Sequence, residues 1–311
     1  MLIQLTVSAL QMISATESHH GEHGTHVRGV SAILSSGESR LDLVNGVKTF
    51  KLADPVLIGV PTKGILGAPA LTSSVQSLDS TFVKMRPLIS RIEALLTCTL
   101  TGWDEIKLTQ AAALDLNEDL TRWEDSQPVK WRPTSMGIWS SYDSPPGDSI
   151  FWPGQVDKYF DPYVAAVWNT YYKARLIALE FIVRCSLLLQ EGDSHKPEHA
   201  EAQRLAGKMI SSIPFLLLKD PQRALSNPLN IQEPGPSFGG LLLMHPLYVG
   251  TRMSVVPPAM QTHMRKCLAW VGKHMNIGQA TLLSRAHATV PTQFVVDGHT
   301  LIWAGMLTQP V

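Results

Sequence analysis

Apolar side chains return every three or four residues along 259–275, where Met260, Met264, Cys267, Leu268, Val271 and Met275 share one side. That spacing predicts a helix with a single face in a core. Pro257 and Pro258 stand where it would begin, because a first turn tolerates proline's missing N–H. A longer series runs over 157–190, with Tyr163, Val167, Tyr171, Ala174, Ala178, Ile182 and Cys185 on one side and Lys173, Arg175, Glu180 and Arg184 interspersed; Pro162 marks its start or a kink. Further helices are predicted over 1–14, 26–36 (stopped by Gly37), 74–100, 104–125, 197–213, 239–253 and 293–307. Strand signals are few, since β-branched runs with strict alternation are nearly absent. Asn45-Gly46 falls inside the helix-like series Leu41, Leu43, Val44, Val47, Phe50 and reads as a bend.

Proline punctuates the chain twice, over 126–154 and over 220–237. The expected architecture is therefore all-α, a multi-helix orthogonal bundle. It forms either one helical domain over 1–311 or two packed lobes, 1–126 and 153–311, joined by the Pro-rich segment 127–152. Composition agrees: of 311 residues 44% are hydrophobic and 17% charged, enough apolar surface for a sizeable core and too little charge for disorder. Lys plus Arg and Asp plus Glu are 26 each, so no global field draws the chain toward nucleic acid or membrane. Cys98, Cys185 and Cys267 are scattered in apolar sequence, which suits reduced intracellular thiols. Met1 to Ser14 is apolar without a basic start or small-residue cleavage site, which speaks against a signal peptide. The uncharged stretch before Arg252 is broken by Pro234, Pro236 and Pro246, which speaks against a membrane span.

Several segments in order resemble the region downstream of the zinc cluster in fungal binuclear-zinc-cluster transcription factors, particularly regulators of secondary metabolism. The carriers are Thr25-His26-Val27-Arg28-Gly29-Val30 followed by Ala32-Ile33-Leu34, and Asp119-Leu120-Thr121-Arg122-Trp123 followed by Trp131-Arg132-Pro133. Tyr159-Phe160-Asp161-Pro162-Tyr163-Val164 leading into Val167-Trp168-Asn169-Thr170-Tyr171 is the most specific; Pro246-Leu247-Tyr248-Val249, Cys267 to Met275 and Ile302 to Met306 complete the set. The resemblance implies the helical fungal-specific regulatory domain. It also implies a nuclear or cytoplasmic regulator that binds a protein partner or small-molecule effector, with homodimerisation left open. Members open with six cysteines holding two zinc ions; three cysteines in these residues cannot supply such a module. Direct sequence-specific DNA binding by this chain alone is not expected, and a cluster-less regulator or the remainder of a longer factor both fit.

Three constellations could carry chemistry. His20, His23 and His26 recur every three residues beside His19 and Glu22, a ligand type suited to a metal, although Gly21 and Gly24 equally make the segment an exposed turn between helices. Asp115, Glu118 and Asp119 lie at i, i+3 and i+4, a spacing that could hold magnesium and a diphosphate. On that spacing rests the alternative reading, a noncanonical isoprenoid diphosphate cyclase on the same scaffold. The competing expectation for these three is a solvent-facing acidic stripe opposite Ala113, Leu116, Leu120 and Trp123. From Pro234 to Val296 there is no Asp or Glu, so Arg265, Lys266 and Lys273 could meet an anionic partner, or simply cap helices. GxxxxGK[ST], GxGxxG and GxSxG are all absent, and no cofactor is indicated.

Overall fold

A computed structural model of the chain describes residues 78–97, 102–140, 149–192, 195–226 and 232–285. The expected helices at 1–14, 26–36 and 293–307, and with them His20, His23, His26 and Cys98, lie outside the described residues. Two compact units divide the chain after Ser126.

In the first unit, α1 (Leu78–Thr97) packs on α2 (Trp103–Ser126). Helix α2 buries Ile106, Ala113, Leu116, Leu120 and Trp123, so its three-and-four spacing is spent on one seam. Asp104 and Glu105 occupy its first turn, where negative charge meets the positive end of the helix dipole.

The second unit opens with a one-turn 3₁₀ helix, Val129–Trp131, and an antiparallel pair, β1 (Thr134–Trp139) and β2 (Gly154–Lys158). Strand β1 lies within the Pro-rich segment 127–152, and β2 follows directly after it. The register slips between Ser135 and Gly137, leaving Met136 as a bulge that breaks the alternation by which strands are recognised. Trp139 of β1 stacks on Phe151, centroids 4.1 Å apart, and so ties the hairpin to the core.

Seven helices follow among the described residues: α3 (Pro162–Leu188), α4 (Lys196–Ser211), α5 (Ile213–Leu217), α6 (Pro221–Ser226), α7 (Ser237–Gly250), α8 (Pro258–His274) and α9 (Gly278–Arg285). The predicted helices 197–213, 239–253 and 259–275 are thus found within a few residues of their expected ends. Pro162 is the start of α3 rather than a kink. Asp161 caps the helix by accepting the Val164 N–H at 2.7 Å. Gln190, with φ 54°, closes its other end in the left-handed region, while the Glu191 N–H reaches back to the Ser186 carbonyl.

Helix α3 is the axis of the unit. The periodic series suggested one apolar side, yet side chains are buried all the way from Val164 to Val183. Neighbours α4, α5 and α7 surround it. Its charged residues Lys173, Arg175 and Glu180 are consequently interior groups, each needing an internal arrangement. Arg175 donates to Glu201 and to the Tyr171 hydroxyl, at 2.8 and 2.9 Å. Glu180 accepts from Arg184, from Ser254 and from the Val255 N–H. Helix α7 crosses α5 so closely that a Cβ on Gly239 would overlap the Leu216 carbonyl oxygen, which is why glycine stands there.

Candidate functional site

Among the described residues, a cleft of about 300 Å³ lies between β2 and α4. Trp152 and Pro153, Val156 of β2, Arg204 and Lys208 of α4, and Met260 of α8 are among its walls. Gly207, on the same face of α4, also lines it. Local chemistry explains how these side chains are held. Lys196 and Pro197 begin α4, and Ala202, Leu205, Ala206 and Met209 bury its inner face, which leaves Arg204 and Lys208, one turn apart, at the cleft.

Each cation is anchored by a carboxylate that does not itself line the cleft. Asp157 is fully buried; it accepts from the Ser211 hydroxyl at 2.6 Å, from Lys208 at 3.3 Å and from the Gln155 amide. Glu201 takes Arg204 through two N–H groups, both at 2.8 Å, and Arg175 on its other side. Burial pushes the Glu201 pKa up, but the Arg204 hydrogen bond and the charges of Arg175 and Arg204 outweigh it and hold the carboxyl below its usual range. The cleft therefore presents two fixed cations beside an indole, a proline ring and a thioether.

Behind Trp152 sits His263, rings 5.0 Å apart, and His263 Nε2 lies 3.4 Å from Cys267 Sγ. Such a pair invites comparison with a thiolate nucleophile and its imidazolium. The electrostatics run the other way. Burial lowers the His263 pKa to about 4, against the hydrogen bond the ring donates to the Ile150 carbonyl and with help from Lys266. Burial also drives the Cys267 thiol far above its ordinary value. Both groups are neutral near pH 7, which suits a packed core pair and not an activated nucleophile.

The residues singled out from sequence do not converge on this cleft. Asp115 and Glu118 are exposed on α2, whereas Asp119, expected to face solvent with them, is 3% exposed and gripped by Lys84 of α1 and by Arg122 at 2.8 Å. The correction has a simple cause: Asp119 sits on the seam between α1 and α2, and the Lys84 cation makes its burial tolerable. A carboxylate so engaged is not presented beside the other two for a shared magnesium ion. On α8, Arg265 donates to the Thr251 carbonyl at 3.1 Å, Lys266 is exposed, and Lys273 lies in the last turn, where the helix dipole favours a cation. Sequence reasoning missed Arg204 and Lys208. The only signal was the Arg-x-x-Gly-Lys run over 204–208, an ordinary charged helix face until β2 is laid against it.

Among the described residues no helix is long and apolar enough to cross a membrane, and no three His, Cys, Asp or Glu side chains are grouped to hold a metal ion. No family model matches the chain, and no solved structure does. The chain is similar to the transcription factor dbaG of Emericella nidulans: 38% of residues are identical over 307 positions, covering 96% of this chain and 72% of that protein.

Proposed function

Because the chain belongs to the family of the Emericella nidulans transcription factor dbaG, we propose that it is a fungal transcriptional regulator whose helical second unit responds to a bound effector. Its targets are genes of secondary metabolism and it works in the nucleus. The observation that carries this reading is the identity itself, sustained over nearly the whole chain and not confined to one segment. The geometry adds a walled cleft with two anchored cations, the kind of concave site in which a small effector is held. Binding there would act by favouring one conformation of the unit over another.

These residues read no DNA by themselves in this proposal. Six zinc-binding thiolates are not available from three cysteines, and Cys185 and Cys267 are buried singly in the core. Of the basic candidates on α8, Arg265 is spent on a carbonyl and Lys273 sits at a helix end. Non-specific affinity comes from neutralising many phosphates together, so a few dispersed cations should give weak binding that collapses as salt rises.

Two measurements test the reading. Deleting the coding sequence should change the transcript levels of a restricted set of genes, and restoring it should reverse the change; unaltered transcripts under conditions where the protein is made would remove the proposal. In gel shifts at physiological salt the purified chain should show no sequence-selective complex. A selective complex abolished by Arg265→Ala with Lys266→Ala would place DNA recognition in α8 instead.

A further inference from the structure

We infer that the cleft between β2 and α4 binds a small aromatic carboxylate, an inference that rests on the regulatory reading above by making this cleft the effector's seat. Its starting point is Gly207. This residue is in the interior of α4, its φ is not in the left-handed region, and a Cβ there would meet nothing closer than the Met260 Cε at 3.9 Å. Neither backbone conformation nor packing asks for glycine. In a helix interior glycine is worse than alanine by about 1 kcal/mol. Gly207 lines the cleft beside Arg204 and Lys208, and there the missing side chain has a use: it leaves room in the cleft next to the two cations.

The walls define what fits. Arg204 and Lys208, four residues apart, are separated along the helix by about 6 Å, a span that one carboxylate can bridge with a donor from each side. Their own carboxylates, Asp157 and Glu201, stand outside the lining and fix the cations' positions, so little ordering is left for a ligand to bring about. Lys208 has three donors and a third of its side chain in solvent. Trp152, Pro153 and Met260 offer flat and polarisable apolar surface on which a ring can lie. A volume near 300 Å³ is at the lower end of the range for ligand clefts, about 300–1,000 Å³, and suits one or two fused rings.

The test uses the full chain and naphthoate, with neutral naphthalenemethanol as its uncharged counterpart, followed by titration calorimetry. Naphthoate should bind with a Kd below about 1 mM and at least about tenfold more tightly than the alcohol. Lys208→Gln should weaken naphthoate by about tenfold and leave the alcohol nearly unchanged. Gly207→Leu should abolish binding of both while the melting temperature stays the same or rises, since leucine is the better helix former. Failure of naphthoate to bind at several times that concentration, equal affinity for acid and alcohol, or unchanged binding in Gly207→Leu would each overturn the inference. The regulatory reading fails separately: a chain that binds no naphthoate but whose deletion still alters transcripts loses the site and keeps its role, and the reverse pair of results loses the role and keeps the site.

Discussion

Glu180→Ala should destabilise the protein by about 2–4 kcal/mol, the sum expected for an orphaned buried donor and a small cavity. Glu180 is 1% exposed and its two carboxylate oxygens hold three donors: the Arg184 guanidinium at 2.7 Å, the Ser254 hydroxyl at 2.9 Å and the buried Val255 N–H at 3.1 Å. Alanine leaves the Val255 N–H without its acceptor and opens a hole beside α3. An orphaned buried donor alone costs about 1–3 kcal/mol. The segment from Thr251 to Pro257, which leads from α7 into α8, also loses its tether. At about 2–4 °C per kcal/mol for a chain of this size, the melting temperature should fall by on the order of 10 °C. Glu180→Gln, which keeps one acceptor oxygen but turns an amide toward a donor, should fall between the two. An alanine variant within 1 kcal/mol of the parent would show that the carboxylate is not what holds this loop.

A second large effect is expected at Lys173, in pH dependence rather than at one pH. Its ammonium is buried in α3, 3.4 Å from His245 Nδ1, and burial lowers its pKa from the usual 10.5 to about 7. The unfolded chain keeps this proton up to about 10.5 whereas the folded chain releases it near 7. Between those values the unfolded state binds more protons, so stability rises with pH by up to about 1.4 kcal/mol per unit; below about 7 the burial penalty is present in full. Other groups limit the usable window. Burial raises the Cys185 thiol to about 11, and burial also raises Cys267 and Tyr159, so the unfolded chain ionises these first and stability declines from about pH 9. Lys173→Met isolates the lysine, because every other group is common to both proteins. Methionine matches its length without the charge, and the variant should be the more stable at pH 7. Denaturant unfolding should show that advantage shrinking steadily from pH 7 to pH 9. A constant difference over that range would mean that Lys173 does not titrate as a buried amine.

How far these features were readable in advance depends on how far apart their parts lie in sequence. Helix α8 was legible because its apolar spacing and the Pro257-Pro258 start are local, whereas Pro162 alone left open whether α3 starts or kinks there. The burial of α3 on every side was not, since tyrosines and alanines at helical spacing look the same whether one neighbour or several will cover them. The hairpin escaped notice because Met136 bulges out of a six-residue strand and prolines crowd the sequence that follows. In the candidate site, Lys208 is an unremarkable surface lysine until Asp157, 51 residues earlier, is brought against it. Asp119 was misread for the same reason, its partner Lys84 being 35 residues away. Short helices such as α6 and α9 carry fewer than three turns and leave no period to detect.

An axis buried on every side from Val164 to Val183 has a consequence for how the second unit comes apart. A surface helix can fray or detach while the remainder stays folded, but α3 cannot leave without stripping α4, α5 and α7 of the surface they cover. Its amides open to solvent only when the whole unit does, which places them in the slowest class of hydrogen exchange, with the protection of global unfolding. Anything that grips α4 in the native state is then felt along all of α3, through one shared equilibrium and without any wire of residues between them.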